Sequence, residues 1–260
     1  MTVSHHQELK PFTGLTSFGS NLSVAVFGAT GGIGNGFVEH LASDPSVAQI
    51  FAFSRQAAAG SSPKIVPGQF DLGDEASIVS AAQQIGAVGP LHLAICAVGM
   101  LHDDARAQMP EKSWRDLSAV NLAQSYLINA IGPALLMKHL LPLLPREGKS
   151  GFAALSARVG SISDNRIGGW YGYRAAKSAL NQHIRCAAIE LARKHKQAFC
   201  VGLHPGTVDT KLSTPFQKKV PDGKLFTPEL ATGAMLNTLD QLSAGDSGKL
   251  LGYDGEEIDP

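Results

Sequence analysis

The chain has 260 residues, 44% of them hydrophobic, a length that suits one large domain or two small ones around a sizeable core. Lys plus Arg total 22 and Asp plus Glu total 22, and this neutral balance argues against a general nucleic-acid or membrane-surface binder. A charged fraction of only 17% argues against extensive disorder.

In chain order, residues 1–20 lack periodicity and are expected to form a loosely attached arm without the apolar core of a secretory signal. Residues 22–27 are a short apolar run ending at a glycine cluster, as a buried parallel strand should be, and a helical pattern follows over 37–42. Segments 49–53 and 65–70 predict strands, and 75–85 predicts a helix with Ile78, Val79, Ala82 and Ile85 on its apolar face. A strand is expected over 91–98, then a long helix over 118–140 interrupted around Gly132-Pro133. A strand over 151–155, a helix over 173–194 and a strand over 199–203, broken by His204-Pro205-Gly206, complete the series. This alternation implies crossover connections and a mostly parallel, doubly wound α/β sheet with helices on both faces, in a single domain over 21–260. No apolar run approaches the ~18 residues of a membrane span. Cys96, Cys186 and Cys200 are odd in number and far apart, so no disulfide framework or metal site is expected, and the compartment is expected to be the reducing cytosol.

Gly28, Gly31, Gly32 and Gly34 lie between the first strand and the first helix. Glycines there permit a tight turn and a close approach of pyrophosphate, whose charge the amides at the helix start can bind. Gly28, Gly32 and Gly34, with Ile33 between the last two, fit GxxxGxG; Gly28, Gly31 and Gly34 fit GxxGxxG. Gly148-Lys149-Ser150 has the ending of a phosphate-binding P-loop, but Leu143 occupies its required first glycine. Ser54-Arg55 ends the second strand, where a dinucleotide fold meets the adenosine ribose. No acidic residue lies between 50 and 60, so Arg55 can neutralise a 2′-phosphate while Ser54 donates a hydrogen bond. This predicts NADP(H) in preference to NAD(H), with a solvated surface arginine as the plain alternative.

Tyr173-Arg174-Ala175-Ala176-Lys177 places a phenol and an ammonium four residues apart on one helix face. A phenol near pKa ~10 is a poor acid or base at neutral pH, and the cation is expected to lower it. The glycine turn and this pair, in this order, resemble the short-chain dehydrogenase/reductase superfamily, a Rossmann-type fold; the chain length favours its compact members. Gly168-Gly169-Trp170-Tyr171-Gly172-Tyr173-Arg174 and the closing Gly252-Tyr253-Asp254-Gly255 resemble its C-factor/sniffer-type carbonyl reductases. The resemblance spans about residues 22–209.

It implies roles for further positions. Asn121 would hold a water linking Lys177 to solvent, unless it simply bonds a backbone carbonyl. Asp71-Leu72 would meet the adenine, with helix capping by Asp71 as the other reading. Cys96-Ala97-Val98-Gly99 keeps only Gly99 of the family's Asn-Asn-Ala-Gly, leaving Cys96 a core residue. Pro205, Gly206, Val208 and Thr210 would lie over the nicotinamide, with His204 structural. The family serine that bonds the substrate carbonyl falls on Ala157, which has no donor. Ser161 is the expected substitute; the rivals are slow turnover on Tyr173 alone, or cofactor binding without catalysis. The resemblance thus implies an NADP(H)-dependent oxidoreductase acting on a carbonyl or alcohol, with a lid over 207–227 that contains Phe216, Lys218, Lys219 and Phe226. The alternative is a catalytically weak dinucleotide-binding signalling or regulatory protein. Assembly as a homodimer or homotetramer is also implied, with neither nucleic acid nor membrane as a partner.

Overall fold

A computed structural model describes residues 10–56 and 62–259. Seven parallel strands form one sheet: β1 (Leu22–Phe27), β2 (Val47–Ser54), β3 (Ile65–Gln69), β4 (Leu93–Cys96), β5 (Ser150–Leu155), β6 (Ala198–His204) and, last in the chain, β9 (Leu250–Gly252). Their spatial order is β3-β2-β1-β4-β5-β6-β9. Two short strands, β7 (Thr207–Val208) and β8 (Leu225–Phe226), pair with each other outside this sheet. The helices are α1 (Gly32–Ser43), α2 (Glu75–Gly86), α3 (Ala119–Tyr126), α4 (Gly132–Leu140), α5 (Tyr171–Leu191) and α6 (Pro228–Gln241).

Both faces of the sheet are covered, which is why its strands are continuous apolar runs. Val24 and Val26 of β1 pack with Phe37 and Leu41 of α1 and Met235 of α6. The alternating Ala25 and Phe27 face the other way, onto Ile78, Leu136, Leu180 and Ile184 of α2, α4 and α5. Burying a side chain of Leu or Phe size contributes about 1.5–3 kcal/mol, so each layer is held by many such terms. The order of strands reverses between β1 and β4, and the crevice beyond their carboxyl ends is where such sheets bind ligands.

Three expectations change. Residues 10–20 are packed rather than loose. Leu15 is buried and its N–H donates to Asp44 Oδ2 at 2.7 Å; Phe18 meets Phe199 edge-on, and the Ser17 N–H reaches Asp240 Oδ1 of α6 at 2.9 Å. Residues 1–9 of the expected arm lie outside the described residues. Helix α6 and strand β9 were not anticipated, although Thr227 caps α6 by accepting the Leu230 N–H, with Pro228 in the first turn, a legible start signal. Finally, the helical run 119–143 is long and apolar enough to cross a membrane by length and composition alone. Here Asn129, Leu136, Met137 and Leu140 of that run are buried against the rest of the protein, as in a core helix.

Candidate active site

The turn after β1 is constrained by backbone sterics. Gly28 has φ +91°, and a Cβ there would stand 3.2 Å from the carbonyl of Ala97. A Cβ on Gly34 would stand 2.0 Å from Gly28 O, so only glycine lets the start of α1 approach the strand this closely. Gly32 faces the Thr210 methyl, 2.7 Å from where its Cβ would be. Helix α1 begins at this turn with no side-chain cap and no acidic residue in its first turn, leaving its end amides for an anion. The cradle therefore fits a dinucleotide pyrophosphate.

At the adenosine edge the two expected contacts separate. Arg55 is exposed at the end of β2, and no carboxylate pairs with it among the described residues. Ser54 does not accompany it: its side chain is buried and donates to the Gln56 carbonyl, so the expected hydrogen bond to a 2′-phosphate is corrected. Residues 57–61 lie outside the described residues. Asp71 accepts the Gly73 N–H at 2.8 Å in a local turn, and Asp74 is the cap of α2, accepting from Ala76. Leu72 is buried, packed against Gly132.

Tyr173 and Lys177 lie in the first two turns of α5, which starts under unusual support. Trp170, just before it, is left-handed at φ +51°, and no side chain of the preceding residue caps the helix. Glu111, from a distant loop and itself buried, accepts the Gly172 N–H on Oε2 at 3.1 Å. This carboxylate sits at the positive end of the helix dipole and anchors the turn that carries the tyrosine; nothing in local sequence marks it.

Tyr173 lines a cavity of about 240 Å³ together with Ile33, Ala157, His204, Val208 and Phe216. Burial pushes its phenol up to about 12 in the free protein. The expected downward pull is not realised, because the Lys177 ammonium lies 5.6 Å from the ring centre and donates to Leu155 O at 2.7 Å. Lys177 is itself buried, and desolvation lowers it to about 8. Desolvation outweighs the pair interaction at both groups.

The asparagine beside this lysine is Asn129, not Asn121. A Cβ on Gly99 would stand 3.6 Å from Asn129 Oδ1 and 3.7 Å from Lys177 Nζ, so the three residues converge. Asn129 Oδ1 accepts the Met100 N–H at 3.0 Å and its Nδ2 donates to Met100 O at 2.7 Å. Asn121 lies eight residues earlier, roughly 12 Å along the axis at the α-helical rise. Asn129 sits in a π turn, Leu127–Ile131, that joins α3 to α4. Pro133, four residues on, has no N–H for the Asn129 carbonyl, which accounts for the break in the ladder. The interruption was legible at Gly132-Pro133; its link to the site was not.

Ser161 is also corrected. It is buried, accepts the Asp164 N–H at 3.1 Å, and is not part of the cavity lining. Ala157 does line the cavity, bare of any donor. Pro205, Gly206, Val208 and Thr210 form the opposite wall. Gly206 has φ +74°, and a Cβ there would strike Phe226 at 2.8 Å, so the turn requires glycine. Thr210 Oγ1 lies 3.5 Å from Val208 O. The lid folds over the cavity, with Phe216 edge-on to Trp170 at 5.1 Å and to His102 at 6.0 Å.

A parallel sheet with a glycine cradle at its switch point and a Tyr–Lys pair on the adjoining cavity defines a dinucleotide-dependent oxidoreductase. A family model described as short chain dehydrogenase matches residues 23–221. The protein C-signal of Myxococcus xanthus is 33% identical over 143 residues, 55% of this chain and 81% of that one. An NADPH-bound carbonyl reductase from chicken fatty liver is 27% identical with a TM-score of 0.78, over 96% of this chain and 99% of that one. Carbonyl reductase Sniffer of D. melanogaster shares the fold, with a TM-score of 0.79 at 23% identity over 93% of this chain and 100% of that one. The chain belongs to the short-chain dehydrogenase family: it is an oxidoreductase that uses a nicotinamide dinucleotide on a small-molecule substrate.

Proposed function

We propose that the protein is an NADPH-dependent carbonyl reductase in which Tyr173 donates the proton. The observation that carries this reading is the Tyr173 hydroxyl on a cavity that also reaches Ile33 of the glycine turn, with Lys177 behind it. The dinucleotide, held by the Gly28–Gly34 turn, Gly99, Lys177 and the Val208–Thr210 wall, supplies a hydride to a carbonyl carbon. Tyr173 is well suited to the other half of the reaction. A phenol held at about 12 is fully protonated at neutral pH, ready to donate to an alkoxide as it forms. Lys177 keeps a positive charge near the oxygen that loses its proton, and Asn129 ties the Gly99–Leu101 segment to the lysine.

The preference for NADPH is supported by Arg55, exposed and without a carboxylate partner among the described residues, and by the NADPH bound in the chicken relative. Exposed Val120, Ile131 and Ile189 on the 119–143 run and α5 support pairing of these helices with a second copy, and a cytosolic location completes the proposal. A second reading, a dinucleotide-binding signalling protein with weak chemistry, draws on Ala157 and on the likeness to C-signal.

The test is NADPH oxidation against a panel of aldehydes, ketones and quinones. Turnover that Tyr173→Phe lowers by about 10²- to 10⁴-fold, with NADPH binding retained, is the expected result. Binding without turnover of any compound defeats the enzyme reading in favour of signalling. An Arg55→Ala variant should lose the preference for NADPH over NADH in KM; an unchanged preference removes Arg55 from the cofactor site.

A further inference from the structure

Carbonyl reduction is faster when a second donor, besides the phenol, bonds the carbonyl oxygen in the transition state. Ala157 cannot supply it and Ser161 is turned into its own loop. Three polar side chains flank Ala157 at the ends of β5 and β6 and line the cavity: Ser156, Arg158 and His204. Ser156 donates its hydroxyl proton to Asn181 Oδ1 at 2.7 Å. Arg158 faces Asp164 at 4.0 Å, half-exposed. His204 alone makes no hydrogen bond to the described residues. It ends β6 beside β5, where the Ser156 N–H bonds Leu203 O, so it leaves the sheet about one strand spacing, ~4.8 Å, from the Ala157 strand.

The two nitrogens of its ring differ. Nδ1 is sealed from solvent and has no partner. A proton there would be a buried, unsatisfied donor, costing about 1–3 kcal/mol, so the favoured tautomer carries its hydrogen on Nε2, the nitrogen left for the cavity. We propose that His204, as a neutral Nε2–H imidazole, donates the second hydrogen bond to the substrate carbonyl oxygen, in place of the hydroxyl absent at position 157. Burial and the neighbouring Arg158 push the imidazole down to about 4, against the opposing pull of Asp254. The ring is therefore an uncharged donor at neutral pH rather than a proton source, a role a neutral imidazole fills in other enzymes. The inference rests on the reductase reading above and assigns a second catalytic residue to it.

The experiment uses the full chain with NADPH and the best carbonyl substrate of the panel, and compares wild type, His204→Ala, His204→Gln, Ala157→Ser and the double variant His204→Ala/Ala157→Ser. His204→Ala is expected to lower kcat by about 10²-fold with NADPH affinity unchanged. His204→Gln, which keeps an N–H donor, is expected to retain more of the rate. A serine at 157 in the His204→Ala background is expected to restore at least about tenfold of the loss, a rescue that a purely structural histidine would not show. NADPH titration of each variant reports whether it is folded. A His204→Ala rate within about threefold of wild type overturns the proposal, as does failure of the serine to rescue a variant that still binds NADPH. Sensitivity to Tyr173→Phe with indifference to His204 overturns this assignment alone; wild-type turnover indifferent to Tyr173 overturns both readings.

Discussion

The cofactor side and the substrate side of the crevice are built by different physics. At the β1–α1 turn backbone approaches backbone, and a single added Cβ on Gly34 would collide with Gly28 O at 2.0 Å. Across the crevice, Ala157 lies on an open cavity wall where several side chains would fit, and what matters is which neighbouring polar atoms are already engaged. The first region is fixed by volume and tolerates one residue type. The second is fixed by how hydrogen bonds are shared out, so the same chemistry can pass from one residue to another. Specialisation within the family can therefore proceed on the substrate side while the dinucleotide grip stays constant.

The sharpest way to break this contrast is Gly34→Ala. If the turn is governed by volume, NADPH affinity falls on the order of 10³-fold and Tm drops, read by fluorescence titration and thermal melting. Affinity within a few-fold of wild type would show that the loop yields as easily as the opposite wall.

Lys177 stands where the two regions meet. Folded, it titrates at about 8, against a reference of 10.5. Between those values the unfolded chain binds more protons, so stability rises as pH climbs through this window; the cost of the buried charge is fully present below it. Relative to Lys177→Met, wild type should gain about 3 kcal/mol between roughly pH 7 and pH 10.5, measured by urea unfolding at each pH. Parallel curves would mean that the ammonium is better solvated than its burial implies.

The smallest effects sharpen the comparison within one helix. Asn129→Ala should cost about 1–3 kcal/mol by leaving both backbone groups of Met100 unpaired, and should slow turnover. Asn121→Ala should lie within about 0.5 kcal/mol of wild type. Equal effects in urea unfolding and steady-state rate would remove Asn129 from the site.

Much of this was legible because period and sterics are written locally. The strands of the sheet announce themselves as apolar runs, and Gly28 and Gly34 by their place between strand and helix. The misassignments share a cause. Asn121 and Asn129 both follow apolar residues on one helix, and spacing from Gly99 cannot choose between them, because the intervening loop sets the register in space. Ser161 was chosen for its hydroxyl, but whether a hydroxyl faces a cavity or its own turn depends on loop geometry. The strap over 10–20 has no period at all; it is held by Asp44 and Asp240, distant in sequence. Glu111 and His204 became meaningful only once Gly172 and the cavity were in place.

The wide turn at Leu127–Ile131 also bears on how this protein can be redesigned. Such a turn holds one residue more than regular winding needs, so it acts as a phase adjuster between the two halves of a helix. Trimming a single amino acid from it would swing everything downstream by about 100° and carry Leu136 and Leu140 off the sheet, whereas the same deletion in a surface loop would pass almost unnoticed.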